Sequence, residues 1–243
     1  MMRNVTSKSM GALALVVAMG VGLPAVASAT DPTTTTTVLS ASFLKAQQAL
    51  ELQLANRATQ LTHLVADVTA ATTLSSSQVA TLTARLSTEV STNNALIAKV
   101  PTDTTKAELN ADRSAMLNDN RVYGVMSPQV FESIEASVVA SQVTTMQGNE
   151  AALQSEVNSL VGLPGYKNAL NHFNNYVARL GNWSTRIVAI EAIVLEQTPQ
   201  GFPGNTKVFV AQNQRILNAN LALAYASYDA SIISLATGGY TGS

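Results

Sequence analysis

The sequence contains no cysteine. Disulfides, thiolate zinc sites, iron–sulfur clusters, c-type haem attachment and thiol nucleophiles are therefore excluded, and folding must rest on burial alone. Charge is scarce as well. Asp, Glu, Lys and Arg make up 12% of the 243 residues, about half the usual share of roughly 25%. The 14 basic and 15 acidic residues give a net charge of −1. Nucleic acid demands clustered Lys and Arg to displace counterions, and an anionic membrane surface demands the same, so neither partner is expected. No G-x-S-x-G elbow, P-loop or H-E-x-x-H occurs. No segment sustains the period-two alternation of a half-buried strand. Thr, Ser, Asn and Gln supply the polar face instead.

What is present begins with an export signature. Arg3 and Lys8 form a short positive region, Met10 to Leu23 is apolar, and Pro24 precedes the small-residue end Ala27, Ser28, Ala29. That order matches a secretory signal peptide, 1–29, with cleavage expected after Ala29. The apolar run is too short and too rich in glycine for a comfortable membrane span. Loss of Arg3 and Lys8 leaves 12 basic against 15 acidic residues, a mature charge of −3. Residues 30–39, with the run Thr33 to Thr37, read as an extended linker. The remainder, 40–243, is long enough for one domain with its own core.

Apolar residues in that domain recur at helical spacing. Phe43, Leu50, Leu54, Leu61, Leu64 and Val68 line one face, and Arg57 is the single charge on it. Ser75 with Gln78 and Thr105 with Glu108 are capping boxes that restart the chain. The second helix runs through Leu82, Leu86 and Val100 to Pro101, and the third through Leu109, Met116 and Tyr123. Ser127–Pro128 predicts a capped fourth helix with Phe131, Ile134 and Val138 inside, then Leu153, Val157 and Leu160. Gly148 and Asn149 mark a break within it. The fifth helix carries Tyr166, Phe173, Tyr176, Leu180 and Ile187. A loop at Thr198–Asn205 leads to a last helix with Val210, Leu217, Leu221, Ala224, Tyr228, Ile232 and Leu235 expected in the core. The expected fold is all-α, an elongated antiparallel bundle of five to six helices.

The densest polar cluster is Asp112, Arg113, Asn118, Asp119, Asn120, Arg121 and Tyr123. Arg113, Arg121 and Tyr123 could hold a small anion. The structural alternative, which the sequence favours, is a network in which Arg57, Asp112 and Asp119 pair internally and pin the helices. His63 and His172 lie on different helices, and Asp67 shares a face with His63. Neither His has a Glu three residues before it, so no metal is expected. Glu132 and Glu135 read as an ordinary solvent-exposed helix turn. Tyr166, Phe173, Tyr176 and Trp183 read as core, with an apolar-ligand groove as the alternative. The sequon Asn182–Trp183–Ser184 is discounted inside a helix. No catalytic residue and no cofactor is expected.

The run Ala111, Asp112, Arg113 leading to Asp119, Asn120, Arg121, Val122, Tyr123 and Pro128 resembles a group of secreted all-helical proteins of actinobacteria. Pro203, Gly204, Asn205, Thr206 and Asp229 resemble that group's last helix. The resemblance covers most of residues 40 to 236 and implies a helical fold and an exported location, with no established activity attached. The sequence thus predicts a secreted or envelope-associated, non-catalytic bundle with a structural or interaction role and an envelope or extracellular partner. An extracytoplasmic module for a small or lipidic ligand is the alternative, and a hydrolase with a site invisible to motifs is a third. Oligomeric state is left open.

Overall fold

A computed structural model of the chain describes residues 39–238. The expected signal peptide, its expected cleavage point and all of the Thr-rich linker but its last residue, Leu39, lie outside the described residues. Those residues form an all-α bundle with no strand among them. Its helices are α1 (Ala41–Ala70), α2 (Ser76–Lys99), α3 (Lys106–Asn118), α4 (Ser127–Gly148), α5 (Glu150–Ser159), α6 (Tyr166–Leu195) and α7 (Gly204–Gly238). The expected fourth helix is two, α4 and α5, divided at Asn149 where the apolar stripe fades.

Local chemistry explains the starts. Ser40 accepts from the Phe43 backbone N–H at 3.2 Å. Ser75 and Thr105 each close a full capping box with Gln78 and Glu108. Each such cap is worth about 1 kcal/mol. Gly165, at φ +96°, makes the left-handed turn that delivers the chain into α6.

Two groups of helices meet at one junction. α6 and α7 pack on each other and on α4 and α5 around Phe173, Tyr176, Leu180, Ile187 and Ile216. On the other side α1 pairs with α2 around Leu61, Leu64, Leu82 and Leu86, with α3 closing one end over Leu50, Leu54 and Met116. Fully buried Leu side chains contribute about 1.5–3 kcal/mol each. A π-helical turn, Val122–Met126, joins the two groups. Its Val122 and Met126 enter the α1–α2 core, whereas Val125 enters the α4–α6–α7 core.

Three expectations are corrected here. Ser127 does not cap α4, because the π-turn runs into the helix without a break, and its hydroxyl instead accepts from Gln60 at 3.3 Å. The buried side of α4 is one position out of step with the expected stripe: Val130, Ser133, Ala136 and Val139 are inside, while Phe131 and Val138 are exposed. In α7 the buried residues are Asn205, Phe209, Gln212, Ile216, Ala219, Leu223, Ala226, Asp229 and Ile233, and most of the expected stripe faces outward. Small residues, Ser133 and Ala136 in α4 and Ala219 and Ala226 in α7, take part in the close helix contacts, and Phe131, Val138, Leu217, Leu221 and Tyr228 are left outside.

Candidate functional site

Buried amides tie the helices together where charge is lacking. Gln47 donates to the Val100 carbonyl at 2.7 Å, Asn93 to the Leu54 carbonyl at 3.1 Å, and Gln129 to the Val194 carbonyl at 2.9 Å. Arg57 joins this scheme. Its Nη1 donates to the Asn120 backbone carbonyl, and the Asn120 amide donates to the Glu89 carbonyl at 3.0 Å. The sequence led us to expect an acidic partner for Arg57, and the partner is this carbonyl instead, offered by the stretch between α3 and the π-turn. Glu89 lies nearby and is itself buried. Burial raises its carboxyl to about 7, against the lowering pull of Arg57.

The remaining members of the expected cluster separate. Asp112 does not pair with an arginine. Lys99 Nζ bridges Asp112 at 2.6 Å and Asp103 at 3.0 Å, because the end of α2 overhangs α3 at that level. Asp119 is exposed at the end of α3. Arg113 is also exposed and borders a small recess with Leu50 and Gln53 of α1. Arg121 faces elsewhere: its guanidinium stacks on the Phe202 ring at 4.2 Å and donates to Asn118 Oδ1 at 3.0 Å. Arg113 and Arg121 therefore do not converge on one anion.

A groove does form at the π-turn. It has a volume of about 430 Å³ and is walled by Tyr123, Phe202, Phe209 and Val210, with Glu132 also lining it. The π-turn opens it, since bonding from Met126 N–H to the Arg121 carbonyl spans five residues and swings Tyr123 outward. Gly124 admits Phe202: a Cβ there would lie 3.0 Å from the ring. Glu132 is 6% exposed, and its Oε2 has no hydrogen-bond partner. Burial pushes its carboxyl up to about 8, and the charge of Glu135 adds to the rise. The expected exposed Glu132–Glu135 turn is thus corrected for Glu132. It faces inward because α4 is covered on more than one side. The sequence signal was present in the weak helix formers Asn118 to Asn120 and in Gly124, which sit just before a Pro-initiated helix.

His172 reaches Asp229 at 2.8 Å, and Arg179 reaches the other carboxylate oxygen at 3.2 Å. Tyr228 meets the His172 ring edge-on. His63 is exposed on α1. Phe173, Tyr176 and Trp183 are buried in packing around α6. Among the described residues no group of three or more His, Asp or Glu side chains is placed to hold a metal ion, and no helix is long and apolar enough to cross a membrane.

The groove runs into the outer face of α7 at Val210. Along that face Val210, Leu217, Leu221, Tyr225, Tyr228 and Leu235 are between 51% and 71% exposed. The only charged side chain from Leu217 onward on this helix is Asp229, which is buried. No family model, curated protein or solved structure matches the chain.

Proposed function

We propose that the protein is an exported, non-catalytic helical module that works by protein contact through the outer face of α7. The observation that carries this reading is the apolar stripe on the outward side of that helix, which has no exposed charged residue of its own from Leu217 to Leu235 and meets one cation, Arg179, over the Tyr225 ring. Monomeric proteins seldom leave so continuous a patch in water. Leu217, Leu221, Ala224, Tyr228, Ser231 and Leu235 alternate by four and three, the spacing of a coiled-coil seam.

The partner in this reading is a second copy of the chain. The six large side chains expose about 700 Å² per chain, so full coverage in a pair would bury at most about 1,400 Å², which reaches the range of a stable interface. The stripe is also nearly palindromic. An antiparallel crossing centred between Ala222 and Leu223 sets Val210 against Leu235, Leu217 against Tyr228 and Leu221 against Ala224. Gln214 then meets Ser231, polar against polar, and no like charges are opposed.

Protein recovered from the culture medium of an expressing bacterium tests this. Amino-terminal sequencing is expected to begin at Thr30. Sedimentation velocity at about 10 µM is expected to give a dimer, and Leu221→Arg is expected to give a monomer with unchanged thermal melting. A wild-type monomer at that concentration, or a dimer that survives Leu221→Arg, would refute self-contact through α7. A second reading, the ligand-binding module, is favoured by the groove at Glu132.

A further inference from the structure

We propose that the groove between the π-turn, α4 and the start of α7 binds an apolar ammonium compound. Its cation would pair with the Glu132 carboxylate while its hydrocarbon lies against Tyr123, Phe202 and Phe209. The groove shares Val210 with the outer stripe of α7, but the binding proposed here rests on the groove alone.

Glu132 is more than nine-tenths buried, lines the groove and leaves Oε2 without a hydrogen bond. A buried carboxyl without a partner is costly, and the cost is met either by a proton or by a cation. No lysine, arginine or histidine lines the groove. A ligand can bring the missing cation. The walls suit its other part, since the Tyr123, Phe202 and Phe209 rings line the groove, and Tyr123 and Phe202 already each attract a guanidinium. Polar contributions from α7 are limited to Thr206 and Asn213. A volume of about 430 Å³ fits a molecule with one ring and a short substituted amine.

The charged and titratable groups around Glu132 set the expected pH behaviour. On its own helix the neighbour is Glu135, whose negative charge raises the Glu132 carboxyl. On the π-turn side stand Tyr123 and two guanidinia that do not line the groove: Arg57, 5.4 Å from the Tyr123 ring, and Arg121, stacked on Phe202. On α7 no acidic or basic side chain lies between Lys207 and Arg215. Glu132 is therefore held protonated at neutral pH mainly by burial, at about 8. A bound cation must displace that proton.

Titration calorimetry with benzyltrimethylammonium, which carries a fixed charge, tests the proposal on the mature protein, with benzyl alcohol and benzoate as neutral and anionic controls. Affinity is expected to rise about tenfold per pH unit from pH 6 to about 8 and to level off above, with up to one proton released per ligand below pH 8. Glu132→Gln is expected to abolish the pH dependence and the proton release and to weaken binding at pH 9 at least about tenfold. The proton count on the wild-type protein does not depend on that variant folding. The proposal is overturned by pH-independent binding, by benzyl alcohol or benzoate binding as tightly as the cation, or by no binding at about 10 mM.

Discussion

Replacing Glu132 by glutamine should stabilise this protein at alkaline pH, although it removes a charged residue. In the folded chain burial raises the Glu132 carboxyl from 4.5 to about 8. Between those two values the folded state holds a proton that the unfolded state has released. Stability therefore falls as pH rises through this window, and the loss is complete above about 8. A full shift of this size corresponds to a ceiling of about 5 kcal/mol. Relaxation and water entry at the open groove reduce the expected effect to about 2 kcal/mol. Glu89, raised to about 7, contributes in the same direction over a narrower window. Urea melts of wild type and Glu132→Gln at pH 5, 7 and 9 provide the assay. The variant is expected to match the wild type at pH 5, to exceed it by about 2 kcal/mol at pH 9, and to retain the shallower slope due to Glu89. An equal offset at all three pH values would refute the reasoning, because it would mean that the wild-type carboxyl does not carry the extra proton.

Gly124→Ala should cost about 1–2 kcal/mol in a urea melt, since the new methyl would meet the Phe202 ring at 3.0 Å and push it from the groove wall. Phe202→Leu in the same background should recover part of that loss, and failure to recover would show that the close approach is not its source. Arg57→Ala should cost about 2–3 kcal/mol, because the Asn120 carbonyl loses its donor and Glu89 its nearest positive charge. Arg121→Ala should cost less, about 0.5–1 kcal/mol, since it loses a half-exposed stack on Phe202 and one hydrogen bond. Equal losses at the two arginines would contradict this assignment.

The sequence was most legible where one helix face is apolar and the opposite face is polar. In α1 the expected residues Phe43, Leu50, Leu54, Leu61, Leu64 and Val68 are all buried, and Arg57 lies on that stripe. Caps at Ser75 and Thr105 follow from short-range chemistry and were equally readable. α7 defeats the same reasoning because it has two stripes. Its outer one holds Leu217, Leu221 and Tyr228, whereas its inner one mixes Phe209 and Ile216 with Ala219, Ala226, Gln212 and Asp229. Summed hydrophobicity selects the outer stripe, but burial follows the fit between helices, and small residues allow α6 and α7 to approach. α4 fails for a related reason: covered by several neighbours, it buries Gln129, Glu132, Ser133 and Ser137 beside Val130 and Val139, so its pattern has no clean period. The polar interruptions that weakened the sequence reading are therefore informative in themselves. Gln47, Asn93, Asn120 and Gln129 donate across the bundle to backbone carbonyls, which positions helices without disulfides and with few ion pairs. Asn93 and Gln129 each keep a side-chain oxygen without a hydrogen bond, as Glu132 does, so an orphaned oxygen alone does not mark a binding residue. Glu132 differs in being a carboxyl that lines a groove, and only the three-dimensional arrangement exposes that.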